Sequence, residues 1–306
     1  MNPFIFPSTD QVECLRTVRD FWRLGLTCLQ RGEVFFGHGY PGPEEESRHL
    51  LLYTLALPQG DITPWLDACL LPAERQQFLT LLRRRIEERI PMAYLTQEAW
   101  LGPYRFFVDE RALIPRSFIA EALEDGLDFL IDDFTSLQRV ADVCTGGGSL
   151  AILLALKCPQ AQVDATDLSV AALAVATRNL HDYGLEEHIH LLHGDLCEKL
   201  MPSAYDLIIS NPPYVDGAAM SALPAEYAKE PVQALASGPD GLDHIRRILA
   251  AAPLHLTANG LLVVEVGHQA DVLEHAFPHL PFIWLDLSGG SRQVFALSRD
   301  DLVNRT

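Results

Sequence analysis

The sequence is short of three things: basic residues, paired cysteines and long hydrophobic runs. Its 41 acidic residues outnumber 23 lysines and arginines, and the net charge of −18 argues against free DNA as the ligand, because phosphate binding needs a basic surface. Six cysteines without Cys-x-x-Cys pairing argue against a disulfide framework or a metal site. No apolar run is long enough to span a membrane, and no signal peptide is recognisable at the N-terminus, so we expect a cytoplasmic protein that does not contact membranes.

The composition that remains is that of an ordinary globular protein. With 306 residues, of which 48% are hydrophobic and 21% charged, the chain has room for a main domain and a smaller one. The acidity favours a basic protein as partner, although acidity that only maintains solubility would look the same. One basic run, Arg83-Arg84-Arg85, has Glu87 and Glu88 beside it on a predicted helix, and we interpret it as a solvated helix face.

The first hundred residues predict a small helical domain. After a capping-box pattern at Ser8 and Gln11, hydrophobic residues recur at helical spacing until Gly32, which predicts one continuous helix. Two more helices are predicted over residues 44–57 and 72–89.

From a predicted β-hairpin over residues 99–108 onward, strands and helices alternate. This order predicts an α/β fold, a Rossmann-like, doubly wound and mostly parallel sheet that ends in an antiparallel hairpin. Strands are predicted over 140–144, 162–166, 188–193, 205–210 and 261–266, helices over 149–157, 170–180 and 242–256, with Gly260 ending the last helix, and the terminal hairpin over 282–287 and 293–297. We divide the chain into a helical domain (1–95), a hairpin and linker (96–115) and a second domain (116–306).

A glycine-rich loop joins the first strand of the second domain to its helix. Gly146, Gly148 and Ala151 satisfy the G-x-G-x-x-G/A pattern, and Asp167 follows at about the 20-residue distance expected of a ribose-binding carboxylate. The motif indicates an adenosine cofactor, and both NAD and S-adenosylmethionine fit it. Asp167 could instead be a helix N-cap, and Cys144 is interpreted as a small packing residue, not a nucleophile.

The tetrapeptide Asn211-Pro212-Pro213-Tyr214 follows the strand predicted over residues 205–210. Two prolines donate no backbone hydrogen bond and have a fixed φ, so the segment is stiff and rich in acceptors. An Asn side-chain oxygen and a proline carbonyl can hold the two hydrogens of a planar –NH2 group; an ordinary turn is the alternative. A methyltransferase that acts on such a nitrogen needs this clamp and a hydride-transfer enzyme does not, so the tetrapeptide favours S-adenosylmethionine. His268 is interpreted as a loop residue, not as a general base.

These residues resemble the class I amino-methyltransferases that carry Asn-Pro-Pro-Tyr and, within them, the bacterial protein N(5)-glutamine methyltransferases. The resemblance extends over nearly the whole chain. It is carried also by Arg89-Ile90-Pro91, Ala93-Tyr94-Leu95, Leu113-Ile114-Pro115-Arg116, Glu230-Pro231, residues 234–242 and Arg292-Gln293-Val294.

Two branches of that family modify different proteins. The release-factor branch usually follows Ile-Pro-Arg with Pro-x-Thr-Glu, whereas Arg116 is followed here by Ser117 and Phe118. Val215-Asp216 and residues 220–227 resemble the branch that methylates a glutamine of large-subunit ribosomal protein L-three, which we favour. Two further classes of protein stay open at this point, an adenine methyltransferase that acts on nucleic acid and a non-catalytic binding module.

The resemblance also implies roles for individual residues. The loop would line the methionine part of the cofactor through Cys144, Thr145, Gly146, Gly147 and Gly148, with Cys144 in place of the usual first glycine. Asp167 would hold the ribose and Asp195 would lie by the adenine. The glutamine would bind at Asn211, Pro212, Pro213 and Tyr214, with Asn211, Pro212 and Tyr214 catalytic and Asn211 also next to the cofactor. From its position, the helical domain would recognise the protein substrate.

Overall fold

The computed structural model describes residues 4–303, and the chain forms two compact units. The helical unit comprises the chain up to Ala99 together with Pro224–Lys229, and the second unit comprises Trp100–Leu223 and the chain from Glu230 onward. Residues 1–3, at the start of the predicted helical domain, and residues 304–306, at the end of the predicted second domain, lie outside the described residues. Within the described chain, no helix is both long and apolar enough to cross a membrane. The helical unit contains α1 (Thr9–Val12), α2 (Val18–Arg31), α3 (Pro43–Thr54), α4 (Pro72–Glu87) and α5 (Met92–Thr96).

The continuous helix predicted up to Gly32 was wrong, because the chain breaks between α1 and α2. The capping pair at its start is present, since the backbone N–H of Ser8 donates to Gln11 Oε1 at 2.9 Å. A second capping box begins at Thr17, whose hydroxyl accepts from the backbone N–H of Asp20 while the Asp20 carboxylate accepts from that of Thr17 at 2.9 Å. Such reciprocal bonds satisfy the free N–H groups of a new helix start. The hydrophobic spacing therefore continued across two helices.

Arg85 is buried in the helical unit, so its interpretation as part of a solvated face was wrong. Its guanidinium donates to Glu46 Oε1 at 2.6 Å, to Glu226 Oε1 at 3.1 Å and to the carbonyl oxygen of Phe35 at 2.7 Å. All three charged side chains are at most 2% exposed. A buried charge has to be paired and hydrogen-bonded, and these bonds tie the segment Pro224–Lys229 into the helical unit.

The hairpin predicted over residues 99–108 is confirmed as β1 (Glu98–Leu101) and β2 (Tyr104–Phe107). The second unit contains a seven-stranded sheet with the order β5-β4-β3-β6-β7-β9-β8, parallel except for β9, which runs antiparallel to both of its neighbours. Its strands are β3 (Arg139–Val143), β4 (Gln162–Asp167), β5 (Ile189–His193), β6 (Tyr205–Ser210), β7 (Leu256–Glu265), β8 (Ile283–Trp284) and β9 (Val294–Ser298).

Helices cover both faces of this sheet, which confirms the predicted doubly wound α/β fold. Alternate residues of each strand face opposite layers, so Val140 and Leu207 belong to one core and Ala141 and Ile208 to the other. The helices are α6 (Ile119–Glu121), α7 (Ser149–Lys157), α8 (Val170–Tyr183), α9 (Gly217–Ala222), α10 (Asp243–His255), α11 (Ala270–Ala276) and α12 (Arg299–Val303), with a π-helical turn over Ala122–Gly126.

The sequence predicted that Gly260 ends a helix, and this prediction was wrong. The helix α10 ends at His255 and β7 begins at Leu256, so Gly260 lies inside a strand. A Cβ atom at residue 260 would lie only 2.7 Å from the carbonyl oxygen of Tyr205 in the neighbouring strand. The glycine is needed for a close approach of two backbones and does not mark a turn.

Candidate active site

A cavity opens at the carboxyl edge of the seven-stranded sheet, where the strand order reverses between β3 and β6. Ligands of open α/β sheets bind at such a reversal. The cavity encloses about 690 Å³ of empty space, including space open to solvent. Several of the predicted site residues line it together, namely Cys144, Gly146, Asp167, Asp195, Asn211 and Pro213.

Asp167 fastens the glycine-rich loop to the end of β4. Its Oδ2 accepts from the backbone N–H of Gly146 at 2.8 Å, and its Oδ1 accepts from that of Ser169 at 2.8 Å. The N-cap of α8 is Ser169, whose hydroxyl accepts from Ala172, so the alternative role of Asp167 as the cap was wrong. Burial raises the pKa of Asp167, because the charged form loses hydration.

The other three predicted loop residues build the loop and do not line the cavity. The hydroxyl of Thr145 donates to Asp142 Oδ2 at 2.6 Å, and the carbonyl of Gly147 accepts from the Asn179 side chain at 2.8 Å. A Cβ atom on Gly148 would lie 3.0 Å from the Ala176 side chain, which shows how closely α8 approaches the loop. Thr145, Gly147 and Gly148 therefore support the residues that face the cavity.

Cys144 adopts a left-handed conformation with φ of +64°. Glycine adopts this region without strain, so the backbone at residue 144 has the shape that a glycine would provide. Burial raises the pKa of the Cys144 thiol well above its ordinary value, and the nearby carboxylates of Asp167 and Asp142 raise it further. Because the thiolate is the nucleophilic form, the raised pKa disfavours Cys144 as a nucleophile.

Asn211 extends from the strand end that lies beside the glycine-rich loop. The preceding residue, Ser210, donates from its hydroxyl to the carbonyl of Val143 at 2.7 Å and so joins the ends of β6 and β3. Asn211 and Pro213 line the cavity. Pro212, which stands between them in the sequence, is buried. Within residues 4–303, the Asn211 side chain forms no hydrogen bond to the protein, so its amide is available to a ligand.

Tyr214, the last residue of the tetrapeptide, is held by protein contacts and is not part of the cavity wall. Its hydroxyl donates to Glu265 Oε1 at 3.3 Å, and its carbonyl accepts from the Gln269 side chain at 3.3 Å. A Cβ atom on Gly267 would lie 2.5 Å from the Tyr214 ring. His268, next in sequence, is exposed and does not line the cavity, as its interpretation as a loop residue implies.

Asp195 lies at the part of the cavity wall that follows β5. Its Oδ2 accepts from Arg247 Nη2 at 2.7 Å, and this hydrogen bond raises the pKa of the arginine. His244 lines the cavity and has its Nδ1 2.8 Å from the hydroxyl of Ser237. Burial lowers the pKa of His244, so the wall presents a neutral imidazole there.

About two thirds of the cavity wall was not predicted from the sequence. A signal for three of these residues existed, because Leu113, Pro231 and Ala234 lie in segments that carry the family resemblance. Arg116 and Glu230 bring the segments of Leu113 and Pro231 together, with 2.5 Å between Nη1 and Oε1. The wall residues not predicted are Arg111, Ala112, Leu113, Leu168, Ser169, Ala172, Leu196, Pro231, Gln233, Ala234 and His244.

Comparisons with known proteins show the family to which the chain belongs. The family model of the methyltransferase small domain matches residues 114–242. The chain is similar to the ribosomal protein uL3 glutamine methyltransferase of Neisseria meningitidis serogroup A, with 50% identity over 289 residues that cover 94% of this chain and 95% of the relative. The corresponding protein of Bordetella pertussis is 50% identical over 288 residues, covering 94% and 97%.

Among solved structures, the hMettl16 catalytic domain, determined in complex with the MAT2A 3′UTR hairpin 6, has a similar fold. Its TM-score is 0.50 at 16% identity, and the match covers 76% of this chain and 84% of that domain. At this identity the likeness concerns the fold alone, that of a class I methyltransferase. The full-length similarity to the bacterial enzymes is far stronger, and the chain therefore belongs to the family of ribosomal protein uL3 glutamine methyltransferases.

Proposed function

We propose that this chain transfers a methyl group from S-adenosylmethionine to the side-chain amide nitrogen of a glutamine in ribosomal protein uL3, the large-subunit protein L-three. Similarity over 94% of the chain to enzymes of that name supports the substrate. One structural observation carries the chemistry: Asn211 lies in the wall of the same cavity as Asp167 and the loop residues Cys144 and Gly146.

The cavity fits an adenosine cofactor. Gly146 has no atom within 4 Å of the position of a Cβ, so a ligand can approach its backbone closely. Each carboxylate oxygen of Asp167 uses one lone pair within the protein, Oδ2 for the backbone N–H of Gly146 and Oδ1 for that of Ser169. The remaining lone pairs can accept from ribose hydroxyls. Asp195 would lie by the adenine. When bound, S-adenosylmethionine supplies a methyl group on a positively charged sulfur, the electrophile that the reaction needs.

The tetrapeptide would orient the glutamine amide. An amide nitrogen is a poor nucleophile because its lone pair is delocalised into the carbonyl. The side-chain oxygen of Asn211 and the carbonyl of Pro212 would accept the two N–H bonds and so turn the lone pair toward the methyl group. Pro213 would line the site, and Tyr214, which lies outside the cavity wall, would act by fixing the position of the tetrapeptide. Rate acceleration would come mostly from orientation and from exclusion of water.

The reaction needs no general base. Formation of the carbon–nitrogen bond and cleavage of the carbon–sulfur bond leave a positively charged nitrogen, whose proton is very acidic and leaves to water. His268 is exposed and away from the cavity, and Cys144 holds its proton. No side chain therefore has to be assigned to proton removal.

The partner and the location are part of the same proposal. A net charge of −18 would attract a basic ribosomal protein and disfavour free DNA. The helical domain, residues 1–95, would recognise the protein substrate, and the reaction would take place in the cytoplasm, where ribosomal proteins are made.

Methyl transfer with labelled S-adenosylmethionine tests the proposal. Purified uL3, a peptide chain release factor and DNA are supplied separately, and label is counted in each. Incorporation into uL3 at one glutamine, located by mass spectrometry, is the expected result. Labelling of the release factor alone would favour the other branch of the family, and labelling of adenine in DNA would overturn the protein substrate.

A further inference from the structure

Glu265 lies next to the tetrapeptide, although no sequence motif assigns it a role. It is the last residue of β7. The residue before it, Val264, pairs with Ser210, the last residue of the neighbouring strand β6. Glu265 and Asn211 are therefore the next residues along two adjacent parallel strands. Glu265 is 2% exposed, so its carboxylate is withdrawn from solvent.

Both oxygens of this carboxylate are engaged. Oε2 accepts from the hydroxyl of Ser117 at 2.6 Å and from the backbone N–H of Phe118 at 2.9 Å, while Oε1 accepts from the hydroxyl of Tyr214 at 3.3 Å. An ionised carboxylate is an acceptor only, and here it meets three donors. The carboxylate thus connects the segment that follows Arg116 with the end of the tetrapeptide.

We infer that Glu265 is a positioning residue for methyl transfer, which anchors Tyr214 and thereby holds Asn211 and Pro212 in the orientation that the glutamine amide requires. The inference rests on the proposed function. Tyr214 is outside the cavity wall, its ring lies against Gly267, and its hydroxyl points to Glu265, so its contacts are those of an anchor. Two prolines transmit this constraint to Asn211, because their φ angles are fixed.

Substitutions at both ends of the contact between Tyr214 and Glu265 test the anchor. Tyr214→Phe removes only the hydroxyl and should lower kcat by roughly 10-fold or more, since small displacements of a positioned group are costly, while the KM for uL3 and the calorimetric Kd for S-adenosylmethionine stay unchanged. Glu265→Ala should lower kcat at least as much. Glu265→Gln keeps an acceptor for Ser117 and Phe118 and should recover part of the loss. Adding Tyr214→Phe to Glu265→Ala should lower kcat no further, because Glu265→Ala has already removed the contact that Tyr214→Phe breaks.

Tyr205→Phe is the matched control. Its hydroxyl also donates to a buried carboxylate, Asp164 Oδ2 at 2.6 Å, but it lies at the opposite end of the same strand β6. This variant should keep wild-type kcat. Hydrogen exchange gives a readout without activity: the peptide that contains Tyr214 and Val215 should exchange faster in Tyr214→Phe and not in Tyr205→Phe.

The outcomes separate this inference from the proposed function. Failure of the wild-type protein to methylate uL3 would contradict the proposed function, and the exchange measurement would still decide on the anchor. An active wild type with unchanged kcat and unchanged exchange in Tyr214→Phe would overturn the inference. If Glu265→Ala does not fold, the Tyr214→Phe comparison alone decides, because it deletes one half-buried hydroxyl.

Discussion

Arg116 holds the buried carboxylate of Glu230 with both terminal nitrogens of its guanidinium, at 2.5 Å from Nη1 to Oε1 and 2.8 Å from Nη2 to Oε2. The backbone N–H of Ile114 donates to the same carboxylate at 3.2 Å. The neighbours of this pair, Leu113 and Pro231, line the cavity. One bidentate ion pair thus joins two segments of the site wall that are 114 residues apart in the chain.

Arg116→Ala should destabilise the protein strongly, because it leaves the Glu230 carboxylate buried without its counter-charge. A loss of about 3 kcal/mol in the free energy of unfolding is expected, measured by urea denaturation. Asp128→Ala is the control, since its ion pair with Lys157 spans 3.6 Å and the Asp128 side chain is 61% exposed. That variant should lose less than about 1 kcal/mol. Equal losses in both variants would show that burial of the Arg116 pair does not matter.

Asp142 should make the stability of the protein depend on pH. Burial raises the pKa of this fully buried carboxyl from 3.8 to about 7, so the folded state keeps a proton that the unfolded state has already released. At pH values between 3.8 and about 7 the folded state binds more protons than the unfolded state, so the stability of the protein falls as pH rises through that window. Asp142→Asn mimics the protonated form and removes the effect. Urea unfolding between pH 5 and pH 8 should therefore show a growing advantage of the variant, and parallel stability curves would contradict the assignment.

Local patterns in the sequence were enough to locate the site, but not the direction in which each of its residues points. The apolar strand over residues 205–210 and the tetrapeptide after it place Asn211 at the sheet edge without knowledge of any distant contact. Thr145, in contrast, points away from the cavity because Asp142 accepts its hydroxyl, and nothing in a glycine-rich pattern reveals that bond. The buried state of Arg85 depends on Glu226, 141 residues later, and such a pairing leaves no trace in helical periodicity.

Asp167→Ala should mainly weaken cofactor binding. The substitution removes the proposed ribose acceptor and also releases the Gly146 backbone, so we expect the calorimetric Kd for S-adenosylmethionine to rise by at least about 10-fold, the equivalent of one charge-assisted hydrogen bond. Asp206→Ala is the control. Its carboxylate also accepts two backbone N–H groups, from Gln138 at 2.8 Å and Arg139 at 3.3 Å, but away from the cavity. An unchanged Kd in Asp167→Ala would remove this residue from the ribose role.

Asn211→Ala should abolish most of the methyl transfer while the calorimetric Kd for S-adenosylmethionine changes by no more than a few-fold. The side chain lies in the cavity wall and forms no protein hydrogen bond within residues 4–303, so its removal should cost the fold little. The rate should fall by at least about 100-fold, because an amide that is not oriented keeps its lone pair in the carbonyl system. Asn211→Asp preserves the shape and an acceptor oxygen and should recover part of the rate. If Asn211→Ala methylates uL3 at the wild-type rate, the amide clamp is wrong, because no other side chain of the tetrapeptide offers an acceptor to the cavity.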